Sequence, residues 1–165
     1  FFSTPPPPPP ILSGLVGSEM CIRDRINGPN LNLLGEREPN LYGKESLDEL
    51  MKWLENSPEI SNNNFKFYQS NYEGGIIDCL HDERHWAQGI IINAGALSHY
   101  SYAIMDALKS VNIPSIEVHL TDINKRESFR KKSVIKSACI QQISGKGKYS
   151  YLEGVKELTK FNSKI

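Results

Sequence analysis

The chain of 165 residues predicts an α/β domain, a doubly wound parallel sheet with helices on both faces. Three observations predict it. Short β-branched or aromatic runs alternate with stretches of helical apolar period. The connections between them are short, and no internal repeat interrupts the alternation. Polar residues gather just after the strand-like runs, where ligand sites of such sheets lie.

Element by element, Ile26-Asn27 ends a first strand, which breaks at once into Gly28-Pro29-Asn30, all turn-formers. Ser46 caps a helix with Glu49 as its capping-box partner, and Leu47, Leu50, Met51 and Leu54 form its apolar face. Asn56 to Asn64 is a polar, proline-containing turn, and Phe65 to Gln69 alternates as a strand. Gly75 to Trp86 reads as the second helix. Gly89-Ile90-Ile91-Ile92-Asn93 is a buried strand with a polar C-terminal end. Ser98 to Ser110 is the third helix, with Ala103, Ile104, Ala107 and Leu108 inward. Pro114 to Leu120 is a strand, Asp122 to Lys132 a short basic helix or turn, Ser137 to Ser144 the last strand, and Tyr149 to Phe161 the last helix.

Bulk properties exclude several classes. Lys+Arg and Asp+Glu both number 19, so the basic surplus of a general nucleic-acid binder is missing. No apolar run approaches the roughly 20 residues of a membrane span. Cys21, Cys79 and Cys139 are scattered and form no CxxC pair, which suggests neither a disulfide framework nor a zinc site. A reducing cytoplasm is the expected compartment.

Residues 1–25 read as foreign. Pro5 to Pro10 is an unbroken proline run, compatible only with extended polyproline or disorder. Leu15 to Arg25 resembles the conceptual translation of a transposase-type DNA-sequencing adapter. The expected organisation is therefore a foreign or disordered segment, 1–25, and a single α/β catalytic domain, 26–165, lacking most of its native first strand. A central parallel strand is normally a continuous Val/Ile/Leu run, whereas Arg23-Asp24-Arg25 puts three successive charges there, costly unless paired.

The chemistry-bearing residues converge on one rim. They are Asn27 to Tyr42 after the first strand, Asn93 to His99 after the third, and His119 to Arg130 after the fourth. Glu117 and His119 are two apart on a strand and share a face, either as a core histidine satisfied by a carboxylate or as a tuned general acid or base. Arg126 and Arg130 would share a helical face, either solvated among Lys125, Lys131 and Lys132 or holding an anion. Asn93-Ala94-Gly95 lets backbone approach a ligand, and Ser98-His99 opens a helix whose first amides favour an anion. Tyr42 could serve as a base only if cations stabilised its phenolate, and Arg37 and Arg126 are within reach on this topology. Nucleophile-elbow, phosphate-loop and HExxH signatures are missing. The inventory suits proton transfer at a small anionic substrate.

Asn27-Gly28-Pro29-Asn30-Leu31-Asn32-Leu33-Leu34-Gly35, followed by Arg37, Glu38-Pro39 and Tyr42-Gly43, resembles the opening of type II 3-dehydroquinate dehydratases. So do Gln69-Ser70-Asn71 with Glu73-Gly74, Asn93-Ala94-Gly95-Ala96 with Ser98-His99 and Ser101, Ile116 to Leu120, and Arg126-Glu127 with Phe129-Arg130. Order and spacing hold from Ile26 to about Ser133. The resemblance implies a flavodoxin-like fold, a homo-oligomer built as a dodecamer (a tetramer of trimers), and a cytoplasmic enzyme of the shikimate route to chorismate and the aromatic amino acids. It implies anti elimination of water from 3-dehydroquinate through an enolate, giving 3-dehydroshikimate, without cofactor, metal or Schiff base. It implies neither nucleic acid nor membrane as partner. Carried onto this chain, Tyr42 is the base, Arg37 stabilises developing charge from a mobile lid, Asn30 holds a water against the enolate oxygen, and His119 protonates the departing hydroxyl. Asn93, Gly95, His99, Leu120, Thr121 and Arg130 hold the substrate, and Asp106 reaches a neighbouring subunit's site. Glu117 and Arg126 support the acid and the base.

Departures from the family pattern are Asp122 where Asn is usual, Tyr100 where Thr is usual, added bulk at Tyr102, and a loosely matching Gly145-Lys146-Gly147-Lys148-Tyr149 run. The alternative reading is a non-catalytic flavodoxin-like module that binds a small anion or a partner.

Overall fold

The computed structural model describes residues 21–164. The expectations for the proline run and for residues up to 20 therefore lie outside the described residues. Five strands form one parallel sheet in the order β2-β1-β3-β4-β5, namely β1 Cys21–Asn27, β2 Asn63–Gln69, β3 Gly89–Asn93, β4 Ser115–His119 and β5 Gln141–Ser144. This is the flavodoxin-like doubly wound arrangement that the sequence predicts. The helices are α1 Pro39–Tyr42, α2 Leu47–Glu55, α3 Glu73–Glu83, α4 Tyr102–Val111 and α5 Tyr149–Asn162. Among the described residues, no helix is long and apolar enough to cross a membrane.

Two apolar layers sandwich the sheet. On one face, Leu50, Met51 and Leu54 of α2 and Tyr151, Val155 and Leu158 of α5 pack on Ile91, Ile116 and Val118. On the other, Ile76 and Leu80 of α3 and Ile104 and Leu108 of α4 pack on Ile26, Ile90 and Ile92. Ile90, Ile91 and Ile92 thus serve both layers in turn, which is why that run carries no polar residue. The capping box at α2 forms as expected: Ser46 Oγ accepts from Glu49 N–H, and the Glu49 carboxylate accepts from Ser46 N–H.

Several boundaries differ from the sequence reading. The third helix begins at Tyr102, not Ser98, because the Ser101 side chain takes the cap by accepting from Ile104 N–H at 2.9 Å. Gly95–His99 is wound as a 3₁₀ turn, so Ser98-His99 opens no helix. Asp122 to Lys132 is two 3₁₀ turns, Ile123–Lys125 and Ser128–Lys131, with extended Arg126 between them. Arg126 and Arg130 therefore share no helical face. The last strand is confined to Gln141–Ser144, because Ile135–Ala138 turns to bury Ile135 against α4.

β1 is formed, and its Asp24 and Arg25 are buried in the sheet. Asp24 pairs in register with Lys66 on one side and Ile90 on the other, and is 2% exposed. Arg25 faces the opposite layer, fully buried, donating to the Met51 carbonyl at 3.3 Å and to Glu55 at 2.5 Å, with its guanidinium 4.5 Å from the Phe65 ring.

Candidate active site

The C-terminal ends of β1, β3 and β4 open into a cleft of about 710 Å³, part of it solvent. It lies where the order of connections reverses, between β1 and β3. Close approach of the two strand-end loops builds its floor. A Cβ on Gly28 would stand 2.3 Å from the Ala94 carbonyl oxygen, so only glycine fits there. Gly95 has φ 57 and faces the Pro29 carbonyl.

The loop after β1 delivers Asn30, Arg37 and Tyr42 to the cleft. Asn30 sits in the left-handed region at φ 66, its N–H donating to Asn71 Oδ1 at 2.9 Å. α1 closes one turn on itself and holds Tyr42 at its end. Two guanidiniums meet the Tyr42 phenol oxygen, which accepts from Arg126 Nη1 at 3.1 Å and from Arg37 Nη2 at 3.5 Å. Both also lie over the ring, 4.8 Å from its centroid for Arg37 and 5.7 Å for Arg126. The hydrogen bond to Tyr42 is the main cause that raises the Arg126 guanidinium above its ordinary pKa. Thr121 Oγ1 accepts from the same Nη1 at 3.3 Å, fixing the fork from a second side.

β4 contributes His119, 6% exposed, whose Nε2 lies 2.7 Å from Glu117 Oε1. Glu117 is fully buried and accepts two further bonds, from Ser133 Oγ at 2.7 Å and from Gln142 Nε2 at 2.8 Å. With those donors committed, the carboxylate acts as acceptor toward the imidazole, so Nε2 carries the hydrogen. His99 stacks near His119, with centroids 6.2 Å apart and planes at 12°. Its Nδ1 meets the Lys132 carbonyl at 2.8 Å; a carbonyl only accepts, so the neutral ring presents Nε2 as its lone pair.

Of the residues singled out in the sequence, Asn30, Arg37, Tyr42, Asn93, Gly95, His99, His119, Leu120, Thr121, Arg126 and Arg130 all line this cleft. Glu117 stands behind His119 rather than in the wall. Asp106 lies outside the cleft, exposed on α4. Asp122 lies outside it too. Its carboxylate accepts from Asn124 N–H at 3.0 Å and pairs with Lys125, so its charge caps a turn. Tyr100 and Tyr102 are 62% and 60% exposed and clear of the cleft. Sequence reading missed Ser133 and Gln142. Gln142 is the register partner of Glu117 on β5, a signal available only once strand pairing is known.

Comparison with known proteins gives one consistent answer. The family model described as "Dehydroquinase class II" matches residues 24–159. A curated 3-dehydroquinate dehydratase of Caldicellulosiruptor saccharolyticus is 55% identical over 130 residues, covering 77% of this chain and 88% of that protein. One from Thermotoga neapolitana is 46% identical over 138 residues, covering 84% and 94%. Among solved structures, the type II dehydroquinase of Butyrivibrio crossotus superposes with a TM-score of 0.82 at 44% identity, covering 85% of this chain and 98% of that one.

Proposed function

The chain belongs to the class II dehydroquinases, and from that premise we propose that this cleft eliminates water from 3-dehydroquinate with Tyr42 as base and His119 as acid. The enzyme is a hydro-lyase of the shikimate pathway, and the product is 3-dehydroshikimate. The observation that carries the residue assignment is the phenol oxygen of Tyr42 held by Arg37 and Arg126 on the same cleft as a histidine backed by a buried carboxylate.

A ketone acidifies the neighbouring C–H, and Tyr42, its oxygen held by two guanidiniums, removes that proton. Negative charge then moves to the ketone oxygen. Asn30, on the loop beside Pro29, holds a water against it, and Arg37 supplies positive charge. Because Nε2–H of His119 is committed to Glu117, the proton delivered to the departing hydroxyl is a second one carried on Nδ1, and its transfer leaves the ring neutral. Asn93, Gly95, His99, the Leu120 and Thr121 amides and Arg130 hold the substrate's hydroxyls and carboxylate. Closure of the 30–42 loop with Arg37 excludes water.

Membership of the family supports assembly as a homododecamer, a tetramer of trimers, in which Asp106, exposed on α4, reaches a neighbouring subunit's site. The free thiols Cys79 and Cys139 fit a reducing cytoplasm. The Asp24 carboxylate, buried in the sheet with no donor among the described residues, supports a foreign origin for residues 1–25. A non-catalytic binding module is not favoured, since the similar chains are named as dehydratases. Ultraviolet absorbance tests the proposal, because the product is a conjugated enone and the substrate is not. Absorbance should rise with the unsubstituted chain and not with His119→Ala of the same circular dichroism.

A further inference from the structure

We propose that Tyr151, on α5 and outside the cleft, is a positioning residue that fixes which way the Asn93 amide faces the substrate. The inference rests on the reading of Asn93 as a substrate-binding residue. Asn27 and Asn93 are register partners at the ends of β1 and β3, and both are nearly or fully buried. Tyr151 reaches between them from the helix layer beneath, and none of its surface is exposed. Its hydroxyl donates to Asn27 Oδ1 at 2.6 Å and accepts from Asn93 Nδ2 at 2.9 Å.

The polarity of this chain of bonds is determined at both ends. The Tyr68 carbonyl can only accept, so the Asn27 atom 3.5 Å from it is Nδ2, which leaves Oδ1 for Tyr151. A hydroxyl has one hydrogen, and Asn27 takes it. Asn93 must therefore donate to Tyr151 with Nδ2. At the other end, the Gly95 N–H can only donate, and it meets Asn93 Oδ1 at 3.3 Å. Both ends demand the same amide orientation. Asn93 also lines the cleft, so its second Nδ2 hydrogen and second Oδ1 lone pair are offered to substrate in one arrangement rather than two. Burial raises the phenol pKa, keeping the donor in place at any working pH.

Tyr151→Phe deletes the hydroxyl and leaves only the 3.3 Å bond from the Gly95 N–H to orient the amide. Losing one oriented hydrogen bond should raise KM for 3-dehydroquinate about ten-fold while kcat changes little. Asn93→Ala should raise KM at least as much. In the Asn93→Ala background, Tyr151→Phe should then have no further effect on kcat/KM, although its effect on melting temperature persists. A KM unchanged by Tyr151→Phe, or effects of the two substitutions that multiply, would overturn the proposal and leave Tyr151 a packing residue. Absence of turnover in the unsubstituted chain would overturn the dehydratase reading and this inference with it. If Tyr151→Phe does not fold, Asn27→Leu serves instead. The hydroxyl is then free to donate to Asn93, and the same rise in KM is expected, with an unchanged KM counting against the proposal.

Discussion

Replacing Asp24 with Val should stabilise the protein, and by an amount that depends on pH. Asp24 lies in the middle of the sheet at 2% exposure, and among the described residues its two oxygens lack a donor within hydrogen-bond distance. Glu83 of α3 is its neighbour, and two ionised carboxylates cannot bond to one another. One added proton lets Asp24 donate to Glu83. Burial first, then Glu83, push the Asp24 pKa from 3.8 to about 7, against smaller opposing effects of Lys66 and Arg25. The unfolded chain thus releases this proton near pH 4 while the folded chain keeps it to about 7. Between those values the folded state binds more protons, so stability falls as pH rises. A rise of that size corresponds to a loss on the order of 4 kcal/mol across the window. Urea melts at pH 4.5 and pH 8 on the parent and on Asp24→Val measure it, the difference between the two chains cancelling the other titrations. The gap should widen by about 3 kcal/mol or more at the higher pH, roughly 10 °C in melting temperature for a domain of this size. Equal pH slopes for the two chains would refute the reasoning.

Further outcomes follow from other parts of the molecule. Glu117→Gln keeps the shape of the support behind His119 but removes its charge, and should lower kcat by about ten-fold or more with little change in melting temperature. Ser133→Ala and Gln142→Leu should have smaller effects in the same direction. Ser46→Ala removes the cap of α2 and should cost about 1 kcal/mol in urea unfolding, with activity retained.

Much of the architecture is legible in the sequence because single residues declare it. Ile90-Ile91-Ile92 between Gly89 and Asn93 marks β3 with its observed bounds. Ser46 and Glu49 mark the start of α2, since a capping box names its own helix. The start of α4 is ambiguous because Ser98 and Ser101 can both cap, and only packing decides. Ser98 is fully buried under the 3₁₀ turn, while Ser101 faces the Ile104 amide. Arg126 and Arg130 both reach the cleft, but not for the reason their spacing suggests. Helical spacing implies a shared face, whereas two successive turns bring both to the cleft. The supports of the site are hidden for a physical reason. Ser133, Gln142 and Tyr151 act on residues 16, 25 and 58 positions away, and such partners are defined by strand register and helix docking rather than by local pattern.

On the proposed mechanism, Tyr42, held by two arginines, removes the proton beside the ketone. The initial rate of the ultraviolet absorbance rise with 3-dehydroquinate, measured for the unsubstituted chain and for Tyr42→Phe at matched folded concentration, tests it most directly. Steady product formation is expected from the first and a rate lower by about 100-fold or more from the second. Comparable rates in the two chains would contradict it.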